Sequence, residues 1–307
     1  MTSQLSAALR ATAEGIYPDE ARTGLFVSHG AFLTRCSYSC QAVLPGRQPG
    51  HAADGWGRIL GVELSGHWLE RYRQGEHEVV WHELRQLGSA VREPGRFEEA
   101  RLVCDEMARR ARHNVEVIIR RLESAGYRFH GNDHEQAPVT PHVPPTPAAV
   151  ELAGWLEDRF EFVPMTLLSW LRLVGDVWLV GTHPHWAASS AGDPLVIELE
   201  GARYPGAPMQ RYFEGELEVW REQAEAGQMF VLPLAPDRIM KNNVSGGPPY
   251  GVIVPDSCAD GLFVGETTMP FVSYLNWVFR NGGFPWPTAP DNQWQLKRTL
   301  AKDLLPL

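Results

Sequence analysis

Cysteine, lysine and long apolar runs are all scarce in this sequence. Four cysteines, Cys36, Cys40, Cys104 and Cys258, are spread over 307 residues. That is too few for a disulfide scaffold and points to a reduced, cytoplasmic compartment. Only three of the 28 cationic residues are lysine (Lys241, Lys297 and Lys302), a bias of composition without functional content. No apolar run approaches the roughly 18 residues of a membrane helix. Residues 1–10 lack the charged start and apolar stretch of a secretory signal, so the Asn243-Val244-Ser245 sequon carries no glycosylation meaning. A Gly-x-Ser-x-Gly elbow, a phosphate-binding loop and a dinucleotide fingerprint are missing, as is any internal repeat. No cofactor and no metal are expected.

The composition that remains, 44% hydrophobic and 21% charged, is that of a globular chain and excludes a mainly disordered or collagen-like one. A chain of this length buries roughly 75% of its unfolded surface, enough for a substantial core. The net charge of −9 disfavours nucleic acid and anionic membranes as partners. It is unevenly spread: residues 1–140 hold 17 Lys+Arg against 18 Asp+Glu, whereas residues 141–307 hold 11 against 19, a net of −8. The acidic half suits a basic protein partner, and solubility alone also accounts for it.

Five prolines, Pro138, Pro141, Pro144, Pro145 and Pro147, mark an extended linker over residues 131–147. It divides a mainly helical domain, residues 1–130, from a second domain, residues 148–307. The nearby His130, His134 and His142 have no companion ligands at metal-binding spacing. Before the linker, Val103, Met107, Ala111, Val115, Ile118 and Leu122 recur every three or four residues, which predicts a helix over 98–125 stopped by Gly126. A shorter helix over 76–91, ended by Pro94-Gly95, pairs with it as a hairpin. Residues 22–62 are glycine-rich and follow no period.

After the linker, Thr146 caps a helix that Pro147 starts. A second helix covers 165–174 and stops at Gly175. Strand patterns follow at 177–181, 195–199, 229–234, 250–254 and 262–264. A last helix at 271–280 ends at Asn281-Gly282-Gly283. The expected class is α+β: a helical N-terminal domain, then a mixed domain with a mainly antiparallel sheet flanked by helices.

His82-Glu83-Leu84-Arg85-Gln86 has glutamine where a zinc-protease helix needs its second histidine, and His77 lies on another helix face. Cys36 and Cys40 are separated by three residues, which suits neither a redox pair nor half of a zinc site, so buried free thiols are expected. Two stretches stand out. One is the turn running from Lys241 through Asn242, Asn243, Val244, Ser245, Gly246, Gly247, Pro248 and Pro249 to Tyr250 and Gly251. It is expected to be exposed, with Gly247 at positive φ. Lys241 and Asn243 are expected to be replaceable with little cost to folding, unless Asn243 holds the turn. The other runs from Trp178 to Trp186. A strand there would place His183 and His185 on one face. The expected binding residues are Lys241, Asn242, Asn243, Ser245, Gly246, Gly247, Tyr250, Trp178 and Trp186, with no catalytic residues. The alternative is an enzyme with an interdomain pocket. There His183 or His185 would act as general base beside Asp176, and Lys241 would hold an anionic group.

Residues 147–287 resemble the SUKH superfamily, which includes bacterial toxin-immunity proteins and a fungal cell-wall-synthesis regulator. The likeness begins with a helix from Ala149 to Phe160, after which Phe162-Val163-Pro164 leads into a helix containing Trp170 that ends at Gly175. It continues through Val177-Trp178-Leu179-Val180-Gly181 and Asp260-Gly261-Leu262-Phe263. It closes on the helix from Phe271 to Phe279 and on Gly282-Gly283-Phe284-Pro285. Asp176 stands where the family usually has a second glycine. The resemblance implies an α+β fold and a non-catalytic role: occupying the surface of a partner protein, such as a toxin or another basic protein.

Overall fold

The computed structural model describes residues 67–201, 209–244, 246–288 and 293–307. Cys36, Cys40, residues 22–62 and Ser245 lie outside them. The fold is α+β, with nine helices and antiparallel strands among the described residues.

Helices α1 (Trp68–Arg73), α2 (His77–Leu87) and α3 (Phe97–Ser124) open the described chain. The six predicted apolar residues of α3 are all fully buried. Glu98 and Glu99 at its start and Arg121 at its end complement the helix dipole. Gly126, at φ +78°, closes it: Gly126 N donates to Glu123 O (3.0 Å) and Tyr127 N to Leu122 O (3.0 Å). The expected hairpin is differently arranged. The helices lying closest along α3 are α1 and two later ones, α5 (Met165–Leu173) and α9 (Gln293–Ala301), with α2 further away. Arg121 Nη1 donates to Leu300 O (2.8 Å) and Lys302 O (2.6 Å), serving carbonyls that the end of α9 leaves open.

The proline-rich stretch is bonded on both sides. His130 N donates to Val180 O (3.1 Å), and Trp178 N to Pro141 O (2.8 Å). Strand β2 (His142–Val143) pairs antiparallel with β3 (Asp176–Trp178). Proline suits this sheet edge because it offers no N–H to a further strand. One continuous cluster of buried apolar side chains runs from Trp68 to Leu307, on both sides of this stretch.

Helix α4 (Ala148–Phe160) begins one residue later than expected, with Pro147 at its N-cap, and Thr146 Oγ1 accepts Ala148 N (3.2 Å). The predicted 177–181 strand changes partners along its length. Its first half, β3, pairs with β2 and β5 (Val196–Ile197), and its second, β4 (Gly181–Thr182), pairs with β1 (Arg128–Phe129). The other sheet is β6 (Phe230–Ala235), β7 (Tyr250–Val254), β8 (Leu262–Val264) and β9 (Thr268–Pro270), antiparallel throughout, with Leu232 opposite Val252 and Phe263 opposite Met269. Glu198 N donates to Leu234 O (2.8 Å), which ties this sheet to the one formed by β2, β3 and β5. Helix α6 (Met209–Gln223) lies on β6, and α8 (Phe271–Arg280) on β8 and β9, where Tyr274 stacks on Phe263. Helix α7 (Arg238–Lys241) follows β6.

Two glycines test these constraints in opposite senses. Gly175 has φ +89°, and a Cβ there would run into the Val143 carbonyl and lie 2.8 Å from Pro145 N. Gly175→Ala should cost about 2 kcal/mol or more in chemical unfolding. Gly154 sits inside α4 with open space around it, so Gly154→Ala should stabilise by about 0.5–1 kcal/mol.

Candidate functional site

The turn at 241–251 grows out of α7. Asp237 Oδ1 accepts Met240 N (2.7 Å), and its Oδ2 accepts Gly247 N. One carboxylate thus caps the helix and grips the far side of the turn. The left-handed residue is Asn243, at φ +58°, and Gly247 does not adopt positive φ. Asn243 N donates to Met240 O (2.9 Å) and Val244 N to Ile239 O (3.2 Å), so asparagine fills the helix-closing role that glycine usually takes. Gly246 is required for a different reason: a Cβ there would collide with the Asp237 carboxylate.

Lys241 is not the exposed loop residue expected. Its side chain is fully buried and its Nζ lies 2.6 Å from Asp193 Oδ1. The ammonium also sits 4.9 Å from the centre of the Tyr250 ring. Tyr250, also buried, donates its hydroxyl to Glu266 Oε1 (3.1 Å) and accepts from Arg238 N (3.2 Å). Burial pushes its pKa well above the ordinary phenol range, so it stays neutral. Arg238 Nε is 3.3 Å from Glu266 Oε1, and its guanidinium covers the Trp286 ring at 5.0 Å.

The second stretch is also drawn inward. Trp178 is buried and donates to His130 O (2.9 Å); Trp186 is buried and donates to Thr288 Oγ1 (2.8 Å). Asp176 accepts the backbone N–H groups of Leu199 (2.9 Å) and Glu200 (3.1 Å), which secures the end of β5. The histidines share no strand face. Residues 183–186 form a turn in which Trp186 N donates to His183 O (3.0 Å), leaving His183 buried and His185 exposed. His183 Nδ1 accepts His185 N (3.1 Å). Burial, aided by His185, holds the His183 pKa below its usual value, and the neutral ring carries its proton on Nε2.

The remaining candidates have local partners. His130 meets Gly131 O and Thr182 Oγ1, and His142 meets Val174 O. His77 accepts from Arg110 Nη1 (2.6 Å), and His82 meets Gln86. Cys104 and Cys258 are both buried. Among the described residues no group of three or more His, Cys, Asp or Glu side chains is placed to hold a metal ion.

What the fold does bring together is the 242–249 turn and the loop 131–136. Asn132 Nδ2 donates to Met240 O (3.0 Å), and Asn243 Nδ2 to His134 Nδ1 (3.0 Å). Residues 134–138, Asn242, Val244, Gly247 and Pro248 are exposed along these two loops. Asn132, Asp193 and Asp237, all buried, form the base of this face, and no local sequence motif marks them. Next to Trp186, Lys297 is buried between the rings of Trp186 (5.6 Å) and Trp294 (5.9 Å) and donates to Trp286 O (2.7 Å). Burial pulls its pKa down to about 8.

No family model, curated protein or solved structure matches the chain.

Two outcomes follow for the buried lysines. Lys241→Ala leaves Asp193 buried and unpaired, so urea unfolding should show a loss of about 3–5 kcal/mol, and the double change Lys241→Met with Asp193→Asn, which suits the left-handed backbone at 193 (φ +58°), should recover part of it. For Lys297, the unfolded chain keeps its proton up to the ordinary value of 10.5 and the folded chain loses it near 8. The unfolded state therefore binds more protons between those values, and stability rises with pH across that window, by up to about 3 kcal/mol. Lys297→Met should lack this rise when both proteins are melted from pH 7 to 11.

Proposed function

We propose that this chain is a cytoplasmic, non-enzymatic binding protein that occupies the surface of a partner protein, in an immunity or regulatory role of the SUKH type, through the face made by loops 134–138 and 242–249. One observation carries the reading: both loops expose their tips while their bases are locked by buried polar contacts. Lys241 with Asp193, Asp237 with Gly247, and Asn132 with the Met240 carbonyl hold the backbone of the face before anything docks. Exposed tips on a rigid base favour recognition, because little chain entropy is lost on association. The acidic balance of residues 141–307 and the exposed Glu135 favour a basic partner. No helix among the described residues is long and apolar enough to cross a membrane. An acid–base reading gains no support from Lys241 or Asp176, since the first is spent on Asp193 and the second on two backbone amides.

The test is a pair of surface changes, Glu135→Lys and Val244→Arg, made together. Both positions are exposed, so stability should stay within about 0.5 kcal/mol of the parent at each. The tagged parent should retain a defined protein from a lysate of its source, and the variant should bind that protein at least tenfold more weakly. A retained protein that binds both forms equally, or no specific retention at all, overturns the reading.

A further inference from the structure

The three lysines of this chain, Lys241, Lys297 and Lys302, sit in three different electrical settings. Lys241 is buried and spends its ammonium on Asp193 (2.6 Å). Lys302 is exposed just beyond the end of α9. Lys297 is buried on α9, and among the described residues no carboxylate is paired with it. Its Nζ donates to Trp286 O (2.7 Å), and its remaining company is the rings of Trp186 and Trp294, at 5.6 and 5.9 Å.

A buried ammonium without a counter-charge is costly, and two ring faces offset only part of that cost. Burial accordingly pulls the Lys297 pKa from 10.5 down to about 8. At pH 7 roughly one such amine in ten is uncharged, against about one in 3,000 for a lysine at the ordinary value. The uncharged form has the free electron pair that a nucleophile needs. This amine also lies close beneath the surface. Trp286 is half-buried, Pro287 is exposed, and Trp294, one turn before Lys297 on α9, is 53% exposed. The walls are held from behind. Trp186 Nε1 donates to Thr288 Oγ1 (2.8 Å) and Trp286 N to Gly192 O (3.0 Å). Arg238, paired with Glu266, covers the Trp286 ring.

We propose that Lys297 is an acylation site, taking a small activated acyl group from a thioester or an acyl phosphate. The Nζ electron pair attacks the acyl carbon, a C–N bond forms, and the bond from that carbon to sulfur or to the phosphate oxygen breaks. One amine proton is lost, and the leaving group departs as a free thiol or phosphate. No oxidant or reductant is involved. The product suits this setting better than the ammonium does. An amide keeps one N–H, which is what the Trp286 carbonyl needs. The charge that burial disfavours is gone, and the acyl methyl group is apolar like the indole faces beside it. The site shares no residue with loops 134–138 and 242–249, so it stands apart from the docking face.

The experiment uses the full chain at pH 7, with acetyl-coenzyme A in one arm and acetyl phosphate in the other, and peptide mass mapping over time. Lys297 should be acetylated at least tenfold faster than the exposed Lys302 in at least one arm, and the arm that reacts identifies the donor. Trp294→Glu, at an exposed position, sets a carboxylate one turn from the amine. It should slow the reaction at Lys297 at least fivefold, although it also removes a ring that covers the amine. The protein acetylated at Lys297 alone should melt at a higher temperature than the unmodified protein at pH 7. Acetylation of Lys297 no faster than that of Lys302 in both arms overturns the proposal. So does a Trp294→Glu variant that reacts as fast as the parent or faster, because exposure rather than a missing counter-charge would then set the rate. A lower melting temperature after acetylation overturns it as well.

Discussion

The apolar stripe of α3 is the constraint to which the rest of the chain conforms. A helix of 28 residues with a fully buried face from Val103 to Leu122 gains little stability in isolation and needs packing partners along its length. Those partners come from remote parts of the sequence: α1 before it, then α5, α9 and the segment at Gly283, where the helix side chain Ile118 approaches within 3.5 Å of the position a Cβ would take. Burying one large aliphatic side chain is worth about 1.5–3 kcal/mol. The six residues of the stripe therefore outweigh any single polar contact in the molecule, and the helical and sheet-bearing parts share one core because they share this helix.

Polar contacts act on top of that core by fixing register. Arg85 of α2 reaches Asp260 ahead of β8, with Nη2 to Oδ2 at 2.6 Å, while Asp260 Oδ1 accepts Val272 N (3.1 Å) at the start of α8. Asp105 of α3 accepts Ser169 Oγ of α5 (2.7 Å). Such buried pairs add little net stability, since desolvation offsets their attraction, but a shifted packing would leave charges unpaired. Hydrophobic burial sets how much is packed together, and these contacts set which residues face which.

This division explains what could be read in advance. Helices 97–124 and 271–280 and strands 250–254 and 262–264 have strong periods and clear stop signals, and the structure places them where the pattern does. Helix α6 escaped because its buried residues, Met209, Phe213 and Leu217, form a stripe one residue wide in a charged segment. Strand β2 was hidden by prolines, which read as linker until the edge position of the strand is known. His183 and His185 alternate as strand residues do, yet Pro184 lies in a tight turn. Lys241 read as exposed because its neighbours are turn formers; its partner Asp193 lies 48 residues away, and local spacing carries no trace of such a pairing. Asn114 is a lone polar residue in an apolar stripe, meaningful only once residues 305–307 lie beside it.

The candidate face follows the same logic in miniature. Its base is made of groups that cannot change singly: Lys241 needs Asp193, Gly246 leaves room for Asp237, and Asn243 supplies the left-handed backbone that closes α7. Its tips, among them residues 134–138, Asn242, Val244 and Pro248, are under no such demand, because they are exposed. A fixed base separates the energetics of folding from those of docking. Substitutions at the tips alter the shape and charge offered to a partner while the buried contacts keep the backbone in place. For a protein proposed to block another's surface, that separation matters more than any single contact. Specificity can then change through exposed residues while the ion pair, cap and helix closure beneath them remain intact.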